Sequence, residues 1–278
     1  MSNQEKVDIL KDKAKELRKT ALTMIHEAKS GHPGGSLSSA DIMTALYFDE
    51  LKLDPKNPSW YERDRFVLSK GHVCPILYSS LILRGFMDKE EIYNLRKYKS
   101  ILQGHPDMKK TPGVDISTGS LGQGLSTAVG MALGLKRDGK DNRVFCLVGD
   151  GETNEGQIWE AIQAAVKYEL DNMVVFVDNN RIQNDGFCDE IMPVWDLKEK
   201  FQAFGCETYR IDGHKMEEIV NVLDQIRGNK NKKPIVIVAS TVKGKGVSFM
   251  ENEPKWHGVA PNDEEFKQAL SEIEEGLN

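Results

Sequence analysis

Cysteine is scarce and scattered in this 278-residue chain: Cys74, Cys146, Cys188 and Cys206 form no CxxC pair. That spacing argues against a disulfide frame and a zinc site, and fits reduced thiols in a cytoplasmic protein. No apolar run approaches the roughly 20 residues of a membrane helix, and the charged start MSNQEKVDILKDKAKELRK lacks the apolar centre of a signal peptide. Neither sign of charge dominates, with 37 basic against 43 acidic residues and a net charge of −6. A mixed, mildly acidic surface predicts a soluble protein with neither a nucleic-acid nor a membrane partner. Internal repeats, low-complexity stretches and a dividing linker are also missing. Residues 1–278 therefore read as one domain with room for a sizeable core.

What is present is an alternation of apolar strands and amphipathic helices. Val7, Leu10, Ala14, Leu17, Ala21 and Ile25 mark one face of a helix over 5–29. SGHPGGS is a loop, and a second helix is expected over about 37–51, capped by Ser36 or Ser38. RFVLSKGH reads as a short strand, followed by helices near 74–84 and 88–97. GSLGQG is a Gly-rich turn that opens a helix, whose N-terminal amides attract phosphate. PIVIVAST is a buried β-branched strand. The alternation predicts an α/β fold, a doubly wound and mostly parallel sheet flanked by helices.

The most informative stretch is GDGETNEGQIWEAIQAAVKYELDNMVVFVDNN, residues 149–180. An apolar strand runs into Gly149-Asp150-Gly151. Ile158, Ala161, Ile162, Ala165 and Val166 then recur at helical spacing, and a second strand ends in Asp178-Asn179-Asn180. Gly149 and Gly151 permit a sharp turn and a close ligand approach. Asp150 and Asn180 would meet at the carboxyl ends of two parallel strands, where open α/β sheets place ligands. Hard oxygens of this kind bind a divalent cation that bridges to phosphates. An ordinary βαβ unit with polar turns is the bland alternative.

Five of the six histidines adjoin a glycine: His32, His72, His105, His214 and His257. Singly, each reads as a surface or core residue. Jointly, flexible Gly-His loops that carry proton donors and acceptors suggest one shared polar pocket. Lys243 and Lys245 in TVKGKG are as consistent with a solvated loop as with phosphate binding.

GDG, twenty-seven residues and NN resemble the thiamine diphosphate motif. SGHPGGSLSSADI, LSKGH, QGHPD, GSLGQGLS, GDGETNEGQIWEA, DNNRIQ and WHG occur in the order found in the N-terminal half of the transketolase family. The resemblance spans residues 30–258 and implies a diphosphate-binding domain. The pyrimidine-binding and C-terminal domains of that family find no counterpart here, so the chain resembles the N-terminal subunit of a split transketolase. It implies an oxygen site for Mg²⁺ or Ca²⁺ from Asp150, Asn180 and the backbone of Ile182. Gly151, His72 and His257 would contact the diphosphate, Gly119 the cofactor's edge, and Leu121 the thiazolium. Glu155 resembles an acid at the subunit interface. His32 and His257 would handle the proton of the donor's C3 hydroxyl, and His105 would bind the C1 hydroxyl.

The implied activity is two-carbon ketol transfer from a ketose phosphate to an aldose phosphate, as in the pentose phosphate pathway. A separate C-terminal subunit would complete the site, in a heterotetramer. One departure stands out. Lys243 replaces the isoleucine that precedes the first glycine in long-chain transketolases, and TVKGKGVSF is closer there to 1-deoxyxylulose-5-phosphate synthase. A synthase-like thiamine diphosphate transferase and a non-catalytic assembly subunit are the alternatives.

Overall fold

The computed structural model describes residues 2–276; Met1, Leu277 and Asn278, at the ends of the expected domain, lie outside the described residues. The first elements are α1 (Asn3–Ala28), α2 (Pro33–Ser38), α3 (Ala40–Ala45), β1 (Arg65–Leu68) and α4 (Cys74–Arg84). Next come α5 (Gln123–Arg137), β2 (Val144–Gly149), α6 (Gly156–Lys167), β3 (Met173–Asn179), α7 (Cys188–Ile191) and α8 (Leu197–Ala203). The chain closes with β4 (Glu207–Asp212), α9 (Met216–Ile226), β5 (Ile235–Ser240) and α10 (Asp263–Glu275).

The five strands form one sheet in the order β1-β2-β3-β5-β4, and every pairing is parallel. Because side chains alternate along a strand, each apolar run supplies both faces. Phe145, Leu147, Phe176 and Ile237 pack with α1, α4 and α9 on one side. Cys146, Val148, Val175 and Val238 pack with α5, α6 and α8 on the other. The sheet is covered twice, which is why its strands read as unbroken apolar runs. A smaller cluster places Trp256 and Ile273 beneath Leu22 and Leu37. All four thiols are buried and free. Among the described residues no helix is long and apolar enough to cross a membrane.

Two expectations fail locally. The helix over 37–51 is instead α2, α3 and a wide turn over Leu46–Glu50. Its start lies upstream of the expected serine caps, at Pro33, whose ring suits the first helical position. The helix over 88–97 is only a tight 3₁₀ segment, Lys89–Asn94. Leu95 then turns inward, buried, and Arg96 takes a left-handed backbone with φ 60°. A continued helix would leave neither side chain where it is.

Parallel pairing carries every strand's carboxyl end to one edge. Lys70 and His72 follow β1, Asp150 follows β2, Asn180 follows β3, and Lys243 follows β5.

Candidate active site

The register of β2 and β3 sets Gly149 opposite Asp178. The Asp150 amide donates to the Asp178 carbonyl at 3.2 Å, so the two strand ends are tied. The Asp150 carboxylate accepts the Gly151 amide at 2.7 Å and also the Arg181 amide. Asn180 Oδ1 accepts the Ile182 amide at 3.1 Å, while its Nδ2 donates to Asp178 Oδ2 at 3.0 Å. Burial, with the Asp178 charge beside it, pushes the Asp150 carboxyl up to about 6. A carboxylate so placed favours an arriving cation. Among the described residues no three His, Cys, Asp or Glu side chains cluster as metal ligands. The donors here are a carboxylate, an amide oxygen and a carbonyl, the hard set that Mg²⁺ or Ca²⁺ takes.

Beneath this edge Asp178 is fully buried and richly bonded. Ser38 Oγ donates to its Oδ2 at 2.6 Å, and Lys70 and Thr241 also donate to the carboxylate. Burial opposes its charge, but the Lys70 ammonium and these donors hold its carboxyl below the usual range. The network consumes the Asn180 amide nitrogen and thereby fixes Oδ1 as the acceptor atom that Asn180 presents. Glu152 plays a similar part across the turns. It accepts the amides of Gly122 at 2.8 Å and Gly149 at 3.0 Å, and the Ser69 hydroxyl. It thus joins GSLGQG to GDG.

Lys243 is the largest surprise. It is 2% exposed, not solvated. Its Nζ donates to the Ile182 carbonyl at 2.9 Å and lies 2.7 Å from His257 Nδ1. Burial lowers its ammonium to about 8. The carbonyl expected to face a metal is instead hydrogen-bonded to the Lys243 ammonium.

Three histidines converge. Ring centroids are 5.0 Å apart for His32 and His72, 5.2 Å for His72 and His257, and 5.5 Å for His32 and His257. Burial, then Arg96, brings His32 to about 4; burial, then Lys243, brings His257 to about 3. Burial and its neighbours hold His72 well below the ordinary range. The imidazoles are neutral at pH 7, as proton acceptors must be. In the unfolded chain these rings protonate near 6.5, so the unfolded state binds more protons below that pH. Their contribution to stability is complete above about 6.5 and is lost as pH falls, through about 4 for His32 and about 3 for His257. A His32→Gln, His257→Gln variant should therefore lose less melting temperature than wild type between pH 7 and pH 5, by scanning calorimetry at each pH.

Of the residues expected to form the site, every one except His105 lines a single cavity of about 580 Å³. These are His32, His72, Gly119, Leu121, Gly149, Asp150, Gly151, Glu155, Asn180, Ile182 and His257. His105 stands exposed at its margin, its ring against Gly119, where an added Cβ would lie 3.1 Å from His105 Cδ2. Glu155 is exposed at the start of α6, as suits an interface acid.

His214 is not part of the shared pocket. Its Nδ1 lies 2.8 Å from Asp41 Oδ2, and its Nε2 accepts the Val242 amide at 2.8 Å. The glycine beside it serves packing: a Cβ on Gly213 would meet Thr241 Cγ2 at 2.5 Å. His214 anchors the turn that carries Lys243. His214→Ala should cost about 1–3 kcal/mol in chemical denaturation, since Val242 and Asp41 lose a partner.

The cavity also suits an elongated, two-ended cofactor. Its volume lies in the ordinary range for small-ligand sites, with oxygens and cations at one end and Leu121, Ile182 and Met192 along the wall. Two buried polar atoms nearby, His32 Nδ1 and Thr118 Oγ1, have no partner in the protein. The residues present therefore fit thiamine diphosphate with a hard divalent cation. Residues 9–274 match the family model described as "Transketolase, thiamine diphosphate binding domain". The chain belongs to the transketolase family. It is 43% identical to the 6-deoxy-6-sulfo-D-fructose transketolase subunit SqwG of Clostridium sp. (strain MSTE9), covering 98% of each protein. It is 41% identical to an apulose-4-phosphate transketolase subunit of Phocaeicola vulgatus, over 98% of this chain and 96% of that one. Against the transketolase of Mus musculus it is 40% identical, over 98% of this chain but 43% of the longer protein. The crystal structure of Campylobacter jejuni transketolase superimposes with a TM-score of 0.91 at 38% identity, over 99% of this chain and 43% of that one. The transketolase assignment matches the cavity's polar end, where GDG and NN meet.

Proposed function

We propose that this chain is the diphosphate-binding subunit of a two-chain transketolase that moves a two-carbon ketol unit from a ketose to an aldose phosphate. The observation that carries the reading is the single cavity in which three neutral histidines face Asp150, Asn180 and Ile182. Residues 1–278 form one domain in this reading. Two subunit-length relatives are named for ketoses with an anionic end, a sulfonate and a phosphate. A ketose with an anionic terminus is accordingly the donor proposed here.

Asp150, Asn180 and the Ile182 carbonyl would hold Mg²⁺ or Ca²⁺. The Gly151 turn, His72, His257 and Lys243 would face the diphosphate, and Gly119 and Leu121 would border the ring. Bound there, thiamine diphosphate supplies the electron sink that lets the C2–C3 bond of the ketose break. His32 and His257 accept the proton of the donor's C3 hydroxyl at ring nitrogens and return one to the acceptor aldehyde oxygen. His105 binds the C1 hydroxyl at the cavity's margin. A pyrimidine-binding domain on a second polypeptide would complete the cofactor's other end, in a cytoplasmic heterotetramer.

The test is tagged co-purification from the native host, with mass measurement of the complex. Capture of a chain that carries a pyrimidine-binding domain, at two copies of each, supports the reading. A homodimer that recruits no such chain contradicts it.

A further inference from the structure

Arg96 sits where the sequence predicts a helix, and its departure from that helix has a consequence for the substrate end of the cavity. Its backbone is left-handed, with φ 60°, a conformation uncommon outside glycine. From that position its amide donates to the Leu102 carbonyl at 2.8 Å, which fixes the start of the QGHPD loop. Its Nη1 donates to Ser30 Oγ at 2.7 Å, across 66 residues, at the start of the loop that carries His32. The guanidinium lies against Gly104, where a Cβ would stand 3.2 Å from Nε and 3.3 Å from the guanidinium carbon. Arg96 thus packs directly on the backbone that precedes His105. Arg96 Nε is buried with no hydrogen-bond partner, and the side chain forms no ion pair among the described residues. A guanidinium between two substrate loops, with a buried Nε left without a partner and no carboxylate beside it, calls for an explanation beyond packing.

We propose that Arg96 is a positioning residue, which clamps the His105 loop to the His32 loop so that both imidazoles meet one substrate. The functional half of this inference rests on the ketol-transfer reading of the site. Two effects follow from the one residue. The backbone and Ser30 bonds fix the separation of the loops, and the charge acts on both rings. Burial first, and Arg96 next, lower the protonation of His105; the same two causes, in the same order, lead for His32. Of the other groups that face His32, the His105 and Lys243 charges lower it and the His72 backbone raises it. His257 is held down by burial, Lys243, His32 and Lys70, with no part for Arg96. The third histidine is therefore an internal control.

The experiment is a histidine ring titration by NMR on the full chain, for wild type, Arg96→Gln and Arg96→Lys, with kinetics of the same variants in the assembled enzyme. Arg96→Gln should raise the titration midpoints of His105 and His32 and leave His257 in place. Arg96→Lys, which keeps the charge without the planar fork, should leave all three near wild type. In the assembled enzyme both variants should lose roughly tenfold in kcat from misplaced loops, with the KM for thiamine diphosphate unchanged. His105 and His32 midpoints unmoved in Arg96→Gln would overturn the inference, as would a wild-type kcat in both variants. If the assembled wild type transfers no ketol unit, the function reading falls, and the titrations still decide whether Arg96 acts on the two loops.

Discussion

Asp150→Ala is expected to abolish retention of thiamine diphosphate. The residue follows β2 directly, is 2% exposed, and is held by the amides of Gly151 and Arg181. Its carboxyl is pushed up to about 6 by burial and by Asp178. The folded site disfavours that negative charge until a cation arrives, so a metal would bind it with more than ordinary advantage. Removing it deletes the one charged donor of the proposed oxygen set and leaves Asn180 and the Ile182 carbonyl. A charge-assisted contact contributes about 1.5–3 kcal/mol even before the cation is counted, so affinity should fall roughly 100-fold or more. Calorimetry with thiamine diphosphate and Mg²⁺, partner chain present, measures it. An undiminished affinity would remove Asp150 from the metal site. Lys243 offers the complementary result: Lys243→Met should weaken diphosphate binding without abolishing it, because the metal set stays intact.

The second large effect is expected at the histidines. His32→Ala and His257→Ala should each lose roughly 10²–10⁴-fold in turnover, the usual size of a positioned proton transfer. The rings lie with centroids 5.5 Å apart and both are neutral near pH 7, so either can take a proton from a hydroxyl between them. Their losses should differ in kind. His257 Nδ1 touches Lys243 Nζ at 2.7 Å, so its removal also disturbs the diphosphate end and should raise the KM for the cofactor. His32 has no such link, and its variant should keep the cofactor KM while kcat falls. Initial rates at varied thiamine diphosphate separate the two cases. Near wild-type turnover in both variants would make these rings structural.

Much of this was legible from residue order alone. Apolar runs that alternate with helices announced the sheet, and GDG with NN announced the edge at which the cavity opens, because glycine turns and oxygen donors occupy fixed places along the chain. The histidines were legible only as a group. His32, His72 and His257 meet in the cavity, whereas His214, with the same glycine neighbour, turns away to Asp41. Nothing local distinguishes them, since the difference lies in which strand end each loop meets. Lys243 and Lys70 were opaque for another reason. A lysine beside glycine is open to a solvated or a bound reading, and its burial depends on carboxylates and carbonyls supplied by distant segments, Asp178 for Lys70 and Ile182 for Lys243. Asp178 carried a weak mark, a charge placed directly after five apolar strand residues. Arg96 carried none, because helical propensity across 88–97 outweighs any trace of the turn that the tertiary contact with Ser30 imposes.

The account's central claim is that this chain supplies one half of an active site. The measurement that tests it most directly is initial-rate ketol transfer with the chain alone, the partner alone, and mixtures at a fixed total concentration. Thiamine diphosphate, Mg²⁺, a ketose phosphate and an aldose phosphate are supplied throughout. The account predicts no turnover from either chain and a maximum at equimolar mixing. Sustained turnover by this chain alone would contradict it.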